Sequence, residues 1–251
     1  MRTKFNKKIE FFIKNLLFTE SFLLKKRLKR SINNKDENEL ELLKNFIKPN
    51  TDTIDVGVYR GVYSYEMSKY SKNVHSFEAN PIIFKYINKN LKKILKNIKL
   101  YNYALSNQSG LLKLKIPIRN SNYTKDNFEE YYQMGRATIH ENNNFEEYEE
   151  YIVKAKKIDE FNFNNLISFI KIDVEGHELE VIDGGKLTIR ENKPVLLVEI
   201  EERHSKKKID ESIKFINNFG YKSFFYDKKE LKSTYLLNNN NKFNNFIFLP
   251  N

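Results

Sequence analysis

Two short acidic stretches and one buried-looking glycine turn carry the chemistry this chain can do. The first is Thr53-Ile54-Asp55-Val56-Gly57-Val58-Tyr59-Arg60-Gly61. An apolar run ends in an acid, and a glycine turn then lets backbone approach a nucleoside-like ligand where a side chain would clash. Glu78 closes the next apolar run, 23 residues after Asp55. A carboxylate at that spacing can accept both hydroxyls of a ribose. The turn lacks the third glycine of G-x-G-x-x-G, which a dinucleotide uses to set its pyrophosphate on a helix N-terminus. S-adenosylmethionine has no phosphate, and its cations suit an acid such as Asp55. The pattern therefore favours S-adenosylmethionine over NAD.

The second stretch, Phe169 through Glu178, delivers Asp173 and Glu175 to a strand end, with Gly176 permitting the turn. The third, Glu199-Ile200-Glu201-Glu202-Arg203-His204, ends in the histidine best placed to take a proton near neutral pH. Asp173, Glu175 and His204 are the catalytic candidates. His177 follows Gly176 and could reach a substrate. His75 and His140 read as structural or solvated.

Alternating elements must position these groups. Residues 51–56, 74–79, 98–105, 167–174 and 194–200 read as apolar strands. Helices are expected after the glycine turn as far as residue 70, from 81, over 177–190, and around Ile209, Ile213, Ile216 and Phe219 with Ser205 as cap. Asn80 is a good N-cap and Pro81 a good first helical residue, ahead of the stripe Ile83, Ile87, Leu91 and Ile94. Residues 221–226 and 243–249 complete the sheet as an antiparallel pair. The expectation is an α/β, Rossmann-like fold with a mostly parallel seven-stranded sheet and helices on both faces. An insertion at about 106–160 interrupts it, with a hairpin from 111–118 and 151–157. Its polar, tyrosine-rich part, 119–150, is expected to cover the substrate.

Length and charge bound the rest. The chain has 251 residues, 40% of them hydrophobic, enough for one α/β domain with a large core. There is no cysteine, which excludes disulfides and thiolate chemistry. The net charge is +11, and residues 1–30 hold ten Lys or Arg against two Glu. Basic character thus belongs to an N-terminal arm, and no nucleic-acid groove is expected in the near-balanced body. Residues 1–48 read as this helical arm with a polar linker at 31–39, and 49–251 as the domain. A short helix at 39–47 stops before Pro49. Phe5, Ile9, Phe12, Ile13 and Leu16 repeat at helical spacing between lysines, so the arm could pack on the body, join a homo-oligomer or touch an anionic membrane. Because the cofactor motifs begin only near residue 51, the first 30 residues are expected to be separable. A cytoplasmic protein, peripheral on the inner membrane face at most, is expected.

Together the stretches TIDVGVYRGVYS, VHSFEANP, YNYALSNQSG, ISFIKIDVEGHELEVIDGG, KPVLLVEI and NNFIFLP resemble the FkbM family of S-adenosylmethionine-dependent methyltransferases, in the family's order over about residues 51–250. The resemblance implies a class I methyltransferase fold and O-methylation of a small molecule or glycan hydroxyl, a sugar above all. It implies that Asp55, Gly57 and Gly61 line the methionine part of the cofactor and that Glu78 binds ribose. Asn102 to Ala104 would edge the adenine, with Tyr59 and Asn80 flanking the cofactor. Asp173 and Glu175 would fall near the transferred methyl. The family commonly has Ala-Asn where this chain has Val58-Tyr59. A divalent metal held by Asp173 is conceivable and is not expected. Two other readings stay open: an NAD-linked oxidoreductase, and a non-catalytic subunit held at a membrane by the basic arm.

Overall fold

The computed structural model describes residues 18–119, 132–140, 145–201, 208–237 and 243–251. Helix α1 (Glu20–Asn34) starts where the Thr19 hydroxyl accepts from the Phe22 N–H. Leu24 and Leu28 are each 1% exposed, and Ile32 continues their stripe against the core. That i, i+4, i+8 spacing explains why the helix runs through 31–34, where a linker was expected. A 3₁₀ turn (Asn38–Leu42) and α2 (Leu43–Phe46) then lead into the sheet. The described part of the arm therefore packs on the body through Leu24, Leu28 and Ile32.

β1 (Asp52–Val56) is buried along its whole length, as a central strand covered on both faces must be. It is followed by α3 (Val62–Met67), β2 (Asn73–Phe77), α4 (Pro81–Ile94) and β3 (Ile98–Tyr101). Asn80 caps α4, its side-chain oxygen accepting from the Ile82 and Ile83 N–H groups. The single strand expected at 98–105 is two. β3 pairs with β2, but β4 (Ala104–Leu105) pairs with β6 of a second sheet. Asn102 causes the break, because its amide donates to the carbonyls of Glu78 and Ala79 and turns the chain there. The hairpin expected in the insertion forms from β5 (Gly110–Pro117) and β6 (Tyr148–Lys156).

β7 (Ile167–Ile172) leads to α5 (Glu178–Gly184) and α6 (Lys186–Asn192), which replace the one helix expected at 177–190. A Cβ on Gly184 would lie 2.0 Å from the Ser106 carbonyl oxygen, so the helix presses on the insertion there. Asp159 then accepts from the Leu187 and Thr188 N–H groups and starts α6 afresh. β8 (Val195–Glu199), α7 (Ile209–Asn217), β9 (Tyr221–Asp227), β10 (Glu230–Ser233) and β11 (Asn245–Pro250) complete the described chain. The Ser205 cap lies outside the described residues.

The main sheet has eight strands in the order β10-β9-β11-β8-β7-β1-β2-β3, not seven. The extra strand, β10, folds back on β9 through Lys228 and Lys229, both at positive φ, as a two-residue hairpin turn demands. β3, β2, β1, β7 and β8 are mutually parallel, and β11 and β9 pair antiparallel beyond them. Among the described residues, no helix is long and apolar enough to cross a membrane.

Candidate functional site

β1 feeds β2 and β3 on one side while β7 and β8 lie on the other, so connections leave β1 and β7 in opposite directions. Ligands of open α/β sheets bind in the crevice such a reversal creates. A cavity of about 210 Å³ opens there, walled by Gly57 and Tyr59 after β1, Glu78 and Asn80 after β2, Asp173 and Glu175 after β7, and Glu199 on β8.

Gly57 has φ +81°, and a Cβ there would sit 1.8 Å from the Asp173 carbonyl oxygen. No larger residue fits between the two strand ends. Tyr59, also at positive φ, donates its N–H to Glu78 Oε2 at 2.9 Å. Asn80 donates its N–H to Glu78 Oε1 at 2.9 Å. Both carboxylate oxygens are thus aimed, and each keeps lone pairs for a ribose hydroxyl. Burial pushes the Glu78 carboxyl up to about 7, against the pull of those two N–H groups. Tyr103 and Ala104 line the same cavity.

The opposite wall is acidic around one buried ammonium. Lys171 interrupts the apolar strand β7, and its Nζ lies 2.9 Å from Asp173 Oδ2 and 3.2 Å from the Gly57 carbonyl. The Tyr63 ring lies 5.1 Å from it. Burial opposes the charge, yet Asp173 and Asp55 outweigh burial and raise the lysine's pKa. Glu199 is pushed to about 9, first by burial and then by the adjacent Asp173. It therefore carries a proton at neutral pH and shares a hydrogen bond with Asp173. Glu175 is at φ 52°, and its carbonyl accepts from the Thr138 hydroxyl at 2.8 Å. His177 lines the cavity with Nε2 2.9 Å from Ser106 Oγ, and burial lowers its pKa.

Of the residues expected at the site, the cavity wall brings together Gly57, Tyr59, Glu78, Asn80, Ala104, Asp173 and Glu175. Three others stand behind it. Asp55 is 0% exposed because side chains alternate along β1, and it accepts from Ser64 Oγ at 2.5 Å. Gly61 packs on α4, where a Cβ would meet Leu91 Cδ2 at 2.7 Å. Asn102 spends its amide on the backbone after β2. His204 lies outside the described residues. Lys171 and Glu199 were not assigned from sequence. A lysine inside an otherwise apolar parallel strand, which requires a carboxylate partner, was the available signal for the first. Met134, Gly135, Ala137 and Ile139 from the insertion also wall the cavity; residues 120–131 and 141–144 lie outside the described residues. Among the described residues no group of three or more His, Cys, Asp or Glu is arranged to hold a metal ion.

The sequence profile of the methyltransferase FkbM domain matches residues 55–223. No curated protein sequence matches the chain. Among solved structures, it is similar to methyltransferase FkbM from Methylobacillus flagellatus KT, with a TM-score of 0.51 and 13% identity over 84% of this chain and 50% of that one. This chain thus spans about half the length of that relative, and the likeness is one of fold. An rRNA methylase from Streptococcus thermophilus gives a TM-score of 0.47 at 10% identity, covering 85% of this chain and 93% of that one. A Streptococcus mutans protein in complex with SAH gives 0.44 at 12% identity, covering 84% and 94%.

Proposed function

This chain belongs to the methyltransferase FkbM domain family, whose cofactor is S-adenosylmethionine, and from that premise we propose that it methylates a hydroxyl oxygen of a small molecule or glycan, with a sugar as the preferred acceptor. The observation that carries the reading is the opposition, across one cavity, of the buried Glu78 carboxylate and the Asp173–Glu199 pair. The cavity's donor set fits the cofactor: two aimed carboxylate oxygens for ribose, a glycine turn too tight for a side chain, and an apolar edge at Tyr103 and Ala104.

When bound, the cofactor supplies a methyl carbon activated by its sulfonium. The protein's share is alignment and removal of the acceptor's proton. Gly57 and Tyr59 hold the methionine side, and Glu78 holds the ribose. Asp173 takes the hydroxyl proton. Lys171 fixes one oxygen of Asp173, and Glu199, protonated, supports it without adding a second negative charge. Glu175 orients the acceptor. His204 is the rival base.

Asp173→Asn and His204→Ala test the assignment. Asp173→Asn is expected to keep S-adenosylhomocysteine affinity while lowering turnover roughly 10²–10⁴-fold, as loss of a general base does. Turnover is read as S-adenosylhomocysteine formed, together with acceptor heavier by one CH₂. Normal turnover in folded Asp173→Asn with loss in His204→Ala would move the base to His204. Methylation confined to amines across an acceptor panel would sink the hydroxyl reading.

A further inference from the structure

Basic charge gathers on one face of the folded body. Lys25, Lys26, Arg27, Lys29 and Arg30 of α1 are exposed, on the side away from the buried Leu24 and Leu28. The helix lies along α4, and specific contacts fix it there. Ser21 Oγ donates to Asn90 Oδ1 at 3.0 Å, and the Asn90 amide donates to Glu20 Oε2 at 3.2 Å. α4 and the turn after it add exposed Lys85, Lys89, Lys92, Lys93 and Lys96. Three of these, at 85, 89 and 92, fall on one helical stripe, and Lys96 follows in the turn. α4 has no acid, and Glu20, the one acid of α1, is already 3.0 Å from the Lys89 ammonium. At the start of α1, Phe18 and Phe22 are 44% and 50% exposed and stack on each other at 5.0 Å.

Like charges on adjacent helical turns repel, so this face is unfavourable until a polyanion covers it. We propose that the α1–α4 face docks on a bilayer containing anionic phospholipid. The lysines and arginines meet the headgroups, and the Phe18–Phe22 pair enters the boundary of the acyl chains. Two exposed apolar rings at the edge of a basic face suit a lipid surface, where cations meet headgroups and aromatic side chains enter the acyl boundary. The sequence before α1 continues the theme, with Phe5, Ile9, Phe12, Ile13 and Leu16 set among lysines. α4 begins at the cavity wall with Asn80 and Ile83, so docking also fixes the cavity's orientation to the membrane. The surface does not depend on which acceptor the site takes.

Cosedimentation of the full chain with vesicles tests this. Vesicles of roughly seven parts phosphatidylcholine to three of phosphatidylglycerol should bind it at about 0.05 M salt and release it near 0.5 M, while phosphatidylcholine alone should not bind. K25Q/K29Q/K85Q/K92Q/K96Q, with residues 1–17 intact, should lose about a hundredfold or more in partitioning yet keep its circular dichroism and S-adenosylhomocysteine affinity. F18S/F22S should weaken binding about tenfold without changing the salt dependence. Unchanged vesicle binding in the five-site variant overturns the proposal. So does tighter binding to a short single-stranded RNA than to the vesicles, combined with an indifferent F18S/F22S.

Discussion

Gly57 is where the backbone leaves least room. The carbonyl of Asp173 occupies the space a Cβ would need, and the positive φ adds its own penalty for any L side chain. Gly57→Ala is expected to destabilise the protein by at least about 3 kcal/mol and to abolish S-adenosylhomocysteine binding, because both strand ends must part. A melting curve and a titration on the same sample check this, and wild-type values for both would contradict it. The sequence made this glycine legible through its place after an apolar strand. It also made Glu78 legible, through spacing. It was a poorer guide to Asp55. A strand-terminal acid looks like a ligand contact in one dimension, but side-chain alternation turns Asp55 to Ser64 and leaves Val56 at the cavity. Lys171 shows the converse. Its charge is held by Asp173 at the end of β7 and Asp55 on β1, with the Glu199 carboxyl of β8 beside them, a grouping that no local pattern brings together.

At the scale of elements, α1 decides whether the N-terminal region is an appendage or part of the core. Leu24 and Leu28 join the same buried cluster as Ile87 and Leu91 of α4. Each truncation, Leu24→Ala and Leu28→Ala, is expected to cost about 2–5 kcal/mol. Removing residues 1–34 should expose the α4 stripe and lower the melting temperature or cause aggregation. A truncated domain that melts like the full chain would mean the helix is not held in solution. Capping and periodicity made α4, its Asn80 cap and the β5–β6 hairpin readable from sequence. The misses have tertiary causes. β3 and β4 separate because Asn102 bonds to the backbone of another strand's end. α5 and α6 separate because Asp159, from the insertion, caps the second. β10 was invisible because its turn is Lys228-Lys229, without the Asn-Gly or Asp-Gly that usually marks positive φ at both positions.

Across the whole molecule, the reversal of strand connections at β1 and β7 gathers the glycine turn, the ribose acid and the acidic pair at one cavity. Alternation of apolar strands and helices made that architecture readable, and the length and polarity of the insertion pointed to a cover from 119–150, though with no clear period to single out Met134, Gly135, Ala137 and Ile139. The central claim is that this cavity binds S-adenosylmethionine through Glu78, and the sign of its pH dependence follows from burial. Glu78 is raised from 4.5 to about 7 in the free protein, so below that pH it holds a proton, and the ribose hydroxyls are best accepted by the ionised form. Affinity should therefore rise as pH climbs through about 7. The most direct measurement is calorimetric titration of S-adenosylhomocysteine into the wild type and Glu78→Gln, at about pH 6 and about pH 8. The wild type should bind, more tightly at the higher pH. Glu78→Gln should bind more weakly at the higher pH by roughly 1.5–3 kcal/mol and lose the pH dependence, because its charge-assisted hydrogen bonds are gone. Equal affinity in the two proteins, or no binding by the wild type, would contradict the assignment.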